Sequence, residues 1–139
     1  MRKKIIDLIF ELKSGCFAKE ESIRMKLKLS PAEFRGILVL IPKTIISCNL
    51  LSKKMGLSIS RGSRVVEKML KNGYLKEVKK NGDKRFLNVT LASKGEKTRL
   101  KISEMLEDCE KIIEKKITGK EIETLIGSLY KITNILIHN

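Results

Sequence analysis

Two groups of side chains hold most of the chemistry this sequence offers. Ser58, Ser60, Arg61, Ser63, Arg64 and Lys68 recur within one short segment, and Lys79, Lys80, Lys84 and Arg85 crowd around Asn81, Gly82 and Asp83. Arginine can place two parallel hydrogen bonds on a guanine edge, and serine can serve any base or a phosphate. Clustered lysines neutralise phosphate charge and displace its counterions. Acid–base and nucleophilic chemistry have far less to work with. The only histidine, His138, is the penultimate residue, and no nucleophile elbow or glycine-rich phosphate cradle occurs. The three cysteines, Cys16, Cys48 and Cys109, lie far apart. An odd count without C-x-x-C spacing argues against both a disulfide framework and a zinc site. The residue types therefore predict no catalytic group, no metal and no cofactor.

The charge around these residues is concentrated. The chain has 139 residues, 30 of them Lys or Arg and 16 Asp or Glu, for a net +14. Residues 49–95 hold 12 basic and 3 acidic side chains, net +9, whereas residues 96–139 hold 8 of each. A localised excess favours a polyanionic partner over mere solubility. Aromatic residues are sparse, four Phe and two Tyr, which argues against single-strand recognition by base stacking. The apolar share, 42%, suffices for a core in a chain of one domain's length. Pro42, Lys43 and Thr44 interrupt the longest apolar stretch, residues 37–46, which falls short of the roughly 18 residues a membrane span needs. The N-terminus is basic and then apolar, but Asp7 and Glu11 break it and no small-residue cleavage site follows. A cytoplasmic location without a membrane partner is the expectation.

The elements that must position the charged groups follow from spacing. Ile5, Leu8, Ile9 and Leu12 predict a first helix over residues 2–13, ended by Ser14 and Gly15, and residues 18–27 read as a further helix. Ser30, Pro31 and Glu33 make a helix start with a capping box. That helix is expected to run to about Ile41, stop at Pro42 and bury Phe34, Ile37, Leu38 and Ile41. Residues 43–46 suggest a minimal strand. Ser47 can cap a short helix through Met55, with Gly56 as its left-handed stop. Ser58 can cap the next, ending at Asn72 and Gly73, with Ile59, Gly62, Val66 and Met69 facing inward. Residues 74–80 and 86–91 read as strands joined by an Asn-Gly hairpin turn. In the second strand Leu87, Val89 and Leu91 alternate with Phe86, Asn88 and Thr90. A long helix follows from Ser93, striped by Ile102, Met105, Leu106, Cys109, Ile112 and Ile113. Thr118 to Glu121 is another capping box, opening a last helix striped by Ile122, Leu125, Ile126, Leu129, Ile132 and Leu136.

Two short helices joined through Gly56, Leu57 and Ser58, then a basic hairpin, form a winged helix-turn-helix. Its second helix is of the kind that enters a major groove, and its hairpin of the kind that touches backbone or minor groove. Residues 29–100 resemble the MarR transcriptional regulators. The segment from Leu57 to Leu75 is similar to that family's recognition helix and the glycine closing it. Asp83-Lys84-Arg85 followed by Val89, Leu91 and Gly95 resembles its wing signature, D-x-R-x-x-x-V-x-L-[TS]-x-x-G. Gly62 departs from the apolar residue usual in the family. Ala92 departs from its usual capping threonine, so Ser93 is expected to take over that cap.

The resemblance implies a mainly α protein with a small β-hairpin wing: one domain over residues 1–139, its DNA-binding lobe at 30–95 and its dimerisation helices at 1–29 and 96–139. It implies a homodimeric repressor or activator of double-stranded DNA with a pseudopalindromic operator. Ser58, Ser60, Arg61, Ser63, Arg64, Lys68, Lys79, Lys80, Asp83, Lys84 and Arg85 are the expected DNA-binding set. Arg85 would reach the minor groove, and Asp83 would pair with a nearby arginine, for which Arg64 is the candidate. Ile5, Ile9, Leu12, Ile113, Ile122, Leu125, Leu129, Ile132 and Leu136 are the expected dimer contacts. Release of DNA is expected through a small anionic or phenolic effector bound near segment 14–29, with its Lys19 and Arg24. The alternative there is oxidation of Cys16, whose Cys-Phe-Ala context is similar to that of some peroxide-sensing members. The alternative class is a basic winged-helix module for RNA or a protein assembly.

Overall fold

The computed structural model describes residues 2–79 and 86–139. Its elements follow as α1 (Ile5–Leu27), α2 (Pro31–Val39), β1 (Ile46–Ser47), α3 (Cys48–Lys54), α4 (Ile59–Lys71), β2 (Leu75–Glu77), β3 (Asn88–Leu91), α5 (Ser93–Lys116) and α6 (Gly119–His138). Two compact units divide the chain, Met1–Ile102 and Ser103–Asn139.

In the first unit, α1 does not end at Ser14 and Gly15. It continues for 23 residues and closes on Lys28, whose backbone is left-handed at φ 58°. Ser14 Oγ donates to Phe10 O at 3.2 Å within the helix, and Gly15 has open space around it. One glycine costs about 1 kcal/mol in a helix interior, and helix formers on both sides outweigh it. The two expected helices are therefore one, and Cys16 lies mid-helix rather than in a loop.

Helix α2 starts as expected: Ser30 Oγ accepts from Glu33 N, and the Glu33 carboxylate accepts from Ser30 N, both at 3.1 Å. It ends at Val39, short of Ile41, because Leu40 is already extended. Leu40 consequently enters the core, and Ile41, expected inside, is exposed. Strand β1 forms at Ile46–Ser47 rather than at residues 43–46, since Lys43 takes a positive φ of 62°.

The sheet is antiparallel in the order β1-β3-β2, with Ile46 opposite Val89 and Leu75 opposite Leu91. Strands β2 and β3 are shorter than the expected 74–80 and 86–91. Central β3 is buried along its whole length, so Asn88 and Thr90 are covered as well as Val89 and Leu91. Thr90 Oγ1 meets its hydrogen-bonding need on Thr44 O at 2.6 Å. The expected hairpin turn at Asn81 and Gly82 lies outside the described residues.

The core of this unit is Ile37, Leu40, Leu51, Met55, Val66, Met69, Val89 and Ile102. Two glycines let helices approach there. A Cβ on Gly36 would come within 2.9 Å of Met69 Sδ and 3.1 Å of Met55 Sδ. A Cβ on Gly62 would fall on the Oγ and Cβ of Ser52. Gly62 is thus the point where α4 presses on α3. Ile59, expected on the same inward face, lies one turn before that contact and is 64% exposed.

Helix α5 begins at Ser93, so that serine is the first helical residue and not the cap. Gly95 fits against the carbonyl of Tyr74, where a side chain would collide. Further along, Leu106, Ile112 and Ile113 are exposed, while Met105 and Cys109 are half-buried. The second unit is the remainder of α5 with α6, which starts on the expected capping box of Thr118 and Glu121. No residue of α6 is buried, so its apolar stripe is uncovered.

The Gly62 crossing sets a sign that helix propensity alone gets wrong. Gly62→Ala is expected to destabilise the protein by about 1–3 kcal/mol through overpacking, although alanine is the better helix former. Gly15→Ala, with nothing within 4 Å of the added carbon, is expected to be neutral or stabilising by up to about 1 kcal/mol. Denaturant midpoints that shift the same way in both variants would refute the close crossing.

Candidate nucleic-acid interface

The turn between α3 and α4 is built from local hydrogen bonds. Ser47 Oγ accepts from Leu50 N at 3.2 Å and starts α3. Gly56, at φ 71°, reverses the chain, and Leu57 N reaches back to Ser52 O at 3.0 Å. Ser58 Oγ then accepts from Arg61 N at 3.2 Å and starts α4. Arg35 Nη1 donates to Met55 O at 3.1 Å, tying α2 to the same turn.

The far end of α4 is held just as firmly. Asn72 Nδ2 donates to Glu33 Oε2 at 3.1 Å, and Lys94 Nζ donates to Asn72 O at 2.7 Å. Burial of Glu33 pushes its carboxyl up. Hydrogen bonds from the Ser30 backbone, Asn72 and the Ser30 hydroxyl, with Lys68 nearby, outweigh that and hold it below the ordinary carboxylate value. Gly73, at φ 81°, then turns the chain into β2.

With both ends fixed and Gly62, Val66 and Met69 inside, the outward face of α4 is defined. Ser58, Ser60, Arg61, Arg64 and Lys68 are exposed, as expected. Ser63 is only half-buried and lines a hollow of about 240 Å³ with Ser47, Cys48, Asn49, Phe86 and Leu87. It therefore lies between the α3 start and the root of the hairpin. Lys79 is exposed just beyond β2. Lys80, Asp83, Lys84 and Arg85, and with them the Asp83–Arg64 pairing, lie outside the described residues.

Sequence reasoning missed an apolar component of this face. Ile59 and Leu50 are exposed and line a shallow hollow with Ser47, Asn49, Lys53, Leu57 and Ser58. The inward stripe read through Gly62 concealed Ile59. The available signal was its place immediately after the cap, at the open end of the helix. The thiols separate clearly. Cys48 is buried, and burial pushes its thiol up, against a lowering hydrogen bond to Ser52 and with a further rise from Glu67. Cys16 is exposed and Cys109 half-buried. Among the described residues no group of His, Cys, Asp or Glu is placed to hold a metal. No helix among them is long and apolar enough to cross a membrane.

This arrangement is a mainly α winged helix-turn-helix, and solved structures of MarR-family transcriptional regulators share it over nearly the whole chain. A MarR family protein from Bacillus stearothermophilus is 21% identical at a TM-score of 0.80, covering 96% of this chain and 93% of that one. Wild-type MarR from E. coli is 18% identical at a TM-score of 0.76, covering 95% and 98%. NadR, solved in complex with 4-hydroxyphenylacetate, is 16% identical at a TM-score of 0.71, covering 96% and 95%. No protein-family model and no curated protein sequence matches the chain.

The Glu33 anchor makes the pose of α4 sensitive to acid. A carboxylate whose pKa is lowered on folding stabilises the protein above its unfolded value. That contribution is lost as pH falls through the lowered folded value. Glu33→Gln, which keeps acceptor atoms but no charge, is expected to flatten the fall in melting temperature across the acidic range. Parallel melting-temperature profiles for wild type and variant from neutral pH to below the carboxylate range would contradict the anchor.

Proposed function

We propose that the chain is a MarR-type regulator that binds double-stranded DNA as a homodimer. The observation that carries this reading is α4. It is clamped at both ends and leaves Ser58, Ile59, Ser60, Arg61 and Arg64 exposed within the most cationic third of the sequence. Arg61 and Arg64 read base edges; Ser58, Ser60, Ser63 and Lys68 add hydrogen bonds to bases or phosphate. Lys79, with Lys80 and Lys84, neutralises neighbouring phosphates. Arg85 enters the minor groove, and Asp83 orients the wing by pairing with a nearby arginine, for which Arg64 is the candidate.

Dimerisation is supported by apolar surface left uncovered in one chain. Ile5, Leu12, Ile113, Leu125, Leu129 and Leu136 are exposed, and Ile9, Ile122 and Ile132 half-buried. Helices at residues 1–29 and 96–139 then serve as the dimerisation region of a single domain whose lobe spans 30–95. A two-fold dimer reads half-sites about 34–36 Å apart, so its operator is a short pseudopalindrome. The protein acts as a repressor released by a small-molecule effector. The ligand in NadR supports that mode of control. Oxidation of Cys16 is the less favoured trigger. The residue lies eleven positions into α1, away from the helix terminus that would activate a thiol.

The test pairs sedimentation with duplex binding. A dimer at micromolar concentration is expected, with one dimer per pseudopalindrome selected from a random duplex pool. Arg61→Ala and Arg64→Ala are each expected to cost about 1–3 kcal/mol of discrimination against random DNA, whereas Lys79→Ala lowers the salt slope by about one ion. A monomer with undiminished affinity, or preference for single strands or structured RNA, would defeat the proposal.

Ile59 provides a sharper check. Apolar contact with a thymine methyl is the natural use of an exposed isoleucine beside a groove-reading serine. Replacing thymine by uracil in the selected operator is expected to weaken wild type at one symmetric pair of positions. The same replacement is expected to leave Ile59→Ala unaffected there; equal losses in both proteins would exclude the methyl contact.

A further inference from the structure

Among the described residues a second concentration of positive charge lies at the opposite end of α4 from Ser58. Lys26, Leu27, Lys28, Tyr74, Lys94, Lys97, Thr98 and Lys101 line a cavity of about 440 Å³ in the first unit. Five of the eight are lysines and none is acidic. The five are exposed, and the Lys3–Glu11 contact is the only ion pair among the described residues. Lys26 and Lys28 have an ordinary explanation, since cations at the C-terminal end of α1 favour its dipole. Lys94 and Lys97 do not, because they stand near the N-terminal end of α5, where cations are disfavoured. The same two helices also bury the Nε of Arg24 and of Arg99 with no partner among the described residues.

We propose that this cavity binds a small, multiply charged phosphate-type anion, such as a di- or triphosphate-bearing molecule. Several converging ammonium groups suit a ligand with several negative oxygens, and lysine binds phosphate as a point charge. A single carboxylate would leave most of the cations uncompensated. The aromatic surface is already taken: Lys94 Nζ lies 4.4 Å from the centroid of the Tyr74 ring. An aryl ligand therefore finds no free platform. Helix α4 has 13 residues, about 20 Å at 1.5 Å per residue, and the cavity sits beside its Asn72 end, away from the Ser58 end that carries Ser60 and Arg61. Lys94 also holds the Asn72 carbonyl, so an anion that draws Lys94 away loosens the rear anchor of α4. This deepens the effector-controlled reading above; its control half rests on DNA binding, and its binding half does not.

The test uses the full chain and sodium tripolyphosphate as the probe, with inorganic phosphate beside it, at constant ionic strength. Calorimetry is expected to show saturable binding of one tripolyphosphate per chain, with phosphate weaker. Lys97→Gln/Lys101→Gln is expected to weaken it by about tenfold or more. Lys111→Gln/Lys115→Gln, which removes the same charge from α5 outside the cavity, stays within about twofold of wild type. Failure to saturate, or equal weakening in the two double variants, overturns the site. So does an equal loss of duplex affinity in Lys97→Gln/Lys101→Gln without the probe, which would make these lysines DNA contacts. Because calorimetry contains no DNA, saturable binding by a protein that ignores duplexes would sink the regulator reading and leave the anion site standing.

Discussion

The close crossing of α4 over α3 at Gly62 and Ser52 is the constraint on which the lobe depends. A Cβ at Gly62 would overlap the Ser52 side chain, so the α3–α4 contact would have to shift. Ser52 must be small, and since it is fully buried its hydroxyl must find a partner, which it does on Cys48 O at 2.7 Å. Cys48 N in turn donates to Leu87 O at 2.8 Å, connecting the start of α3 to the root of the hairpin. The position of α4 and that of the hairpin root are thus set by one chain of contacts. Met69 and Met55 then fill what remains against Gly36, where flexible thioethers fit an irregular gap.

That chain of contacts explains why the charged residues are free to act. Among the described residues the buried polar groups near α4 are satisfied inside the lobe. Ser52 bonds to Cys48, Glu33 to Ser30 and Asn72, and Thr90 to Thr44. Among the described residues the Arg61 and Arg64 side chains make no hydrogen bond or ion pair, unlike exposed Arg35, which ties α2 to the turn. A buried carboxylate at Glu33 is tolerated because Ser30 N and Asn72 Nδ2 donate to it and Lys68 lies near.

Caps and stops were legible in the sequence because their physics is local. Ser30, Ser47, Ser58 and Thr118 each accept from a backbone N–H three residues on, and Gly56 and Gly73 each take positive φ. Misreadings occurred where distant packing decides. Ser14 and Gly15 have the residue types of a stop, yet the helix formers on both sides carry α1 through. Spacing alone puts Ile41 and Ile59 inside, but the end of α2 and the centre of the α3–α4 contact put both outside. The alternation read in residues 86–91 assumed a sheet with one open face, whereas a central strand is covered on both. The lysine cavity was invisible for the same reason: residues 26–28 and 94–101 look like two ordinary solvated faces until the fold joins them.

The two cationic regions therefore ask different things of their partners. The α4 face offers forked donors on a rigid helix, which suits the fixed spacing of base edges. The rear cavity offers flexible ammonium groups, which suit a small anion of many orientations. An anion site controls DNA affinity only if it binds the two lobe geometries unequally. The contact that can supply this inequality is Lys94, which serves Asn72 O and the Tyr74 ring in the absence of an anion. Turning Lys94 to a phosphate gives up its hydrogen bond to Asn72 O, so anion binding is weakened by whatever that anchor contributes. By reciprocity, DNA that holds α4 in its anchored pose must weaken the anion by the same factor. In the proposed control, one adjustable anchor at the rear of α4 is then sufficient, with no change in the helix's exposed face.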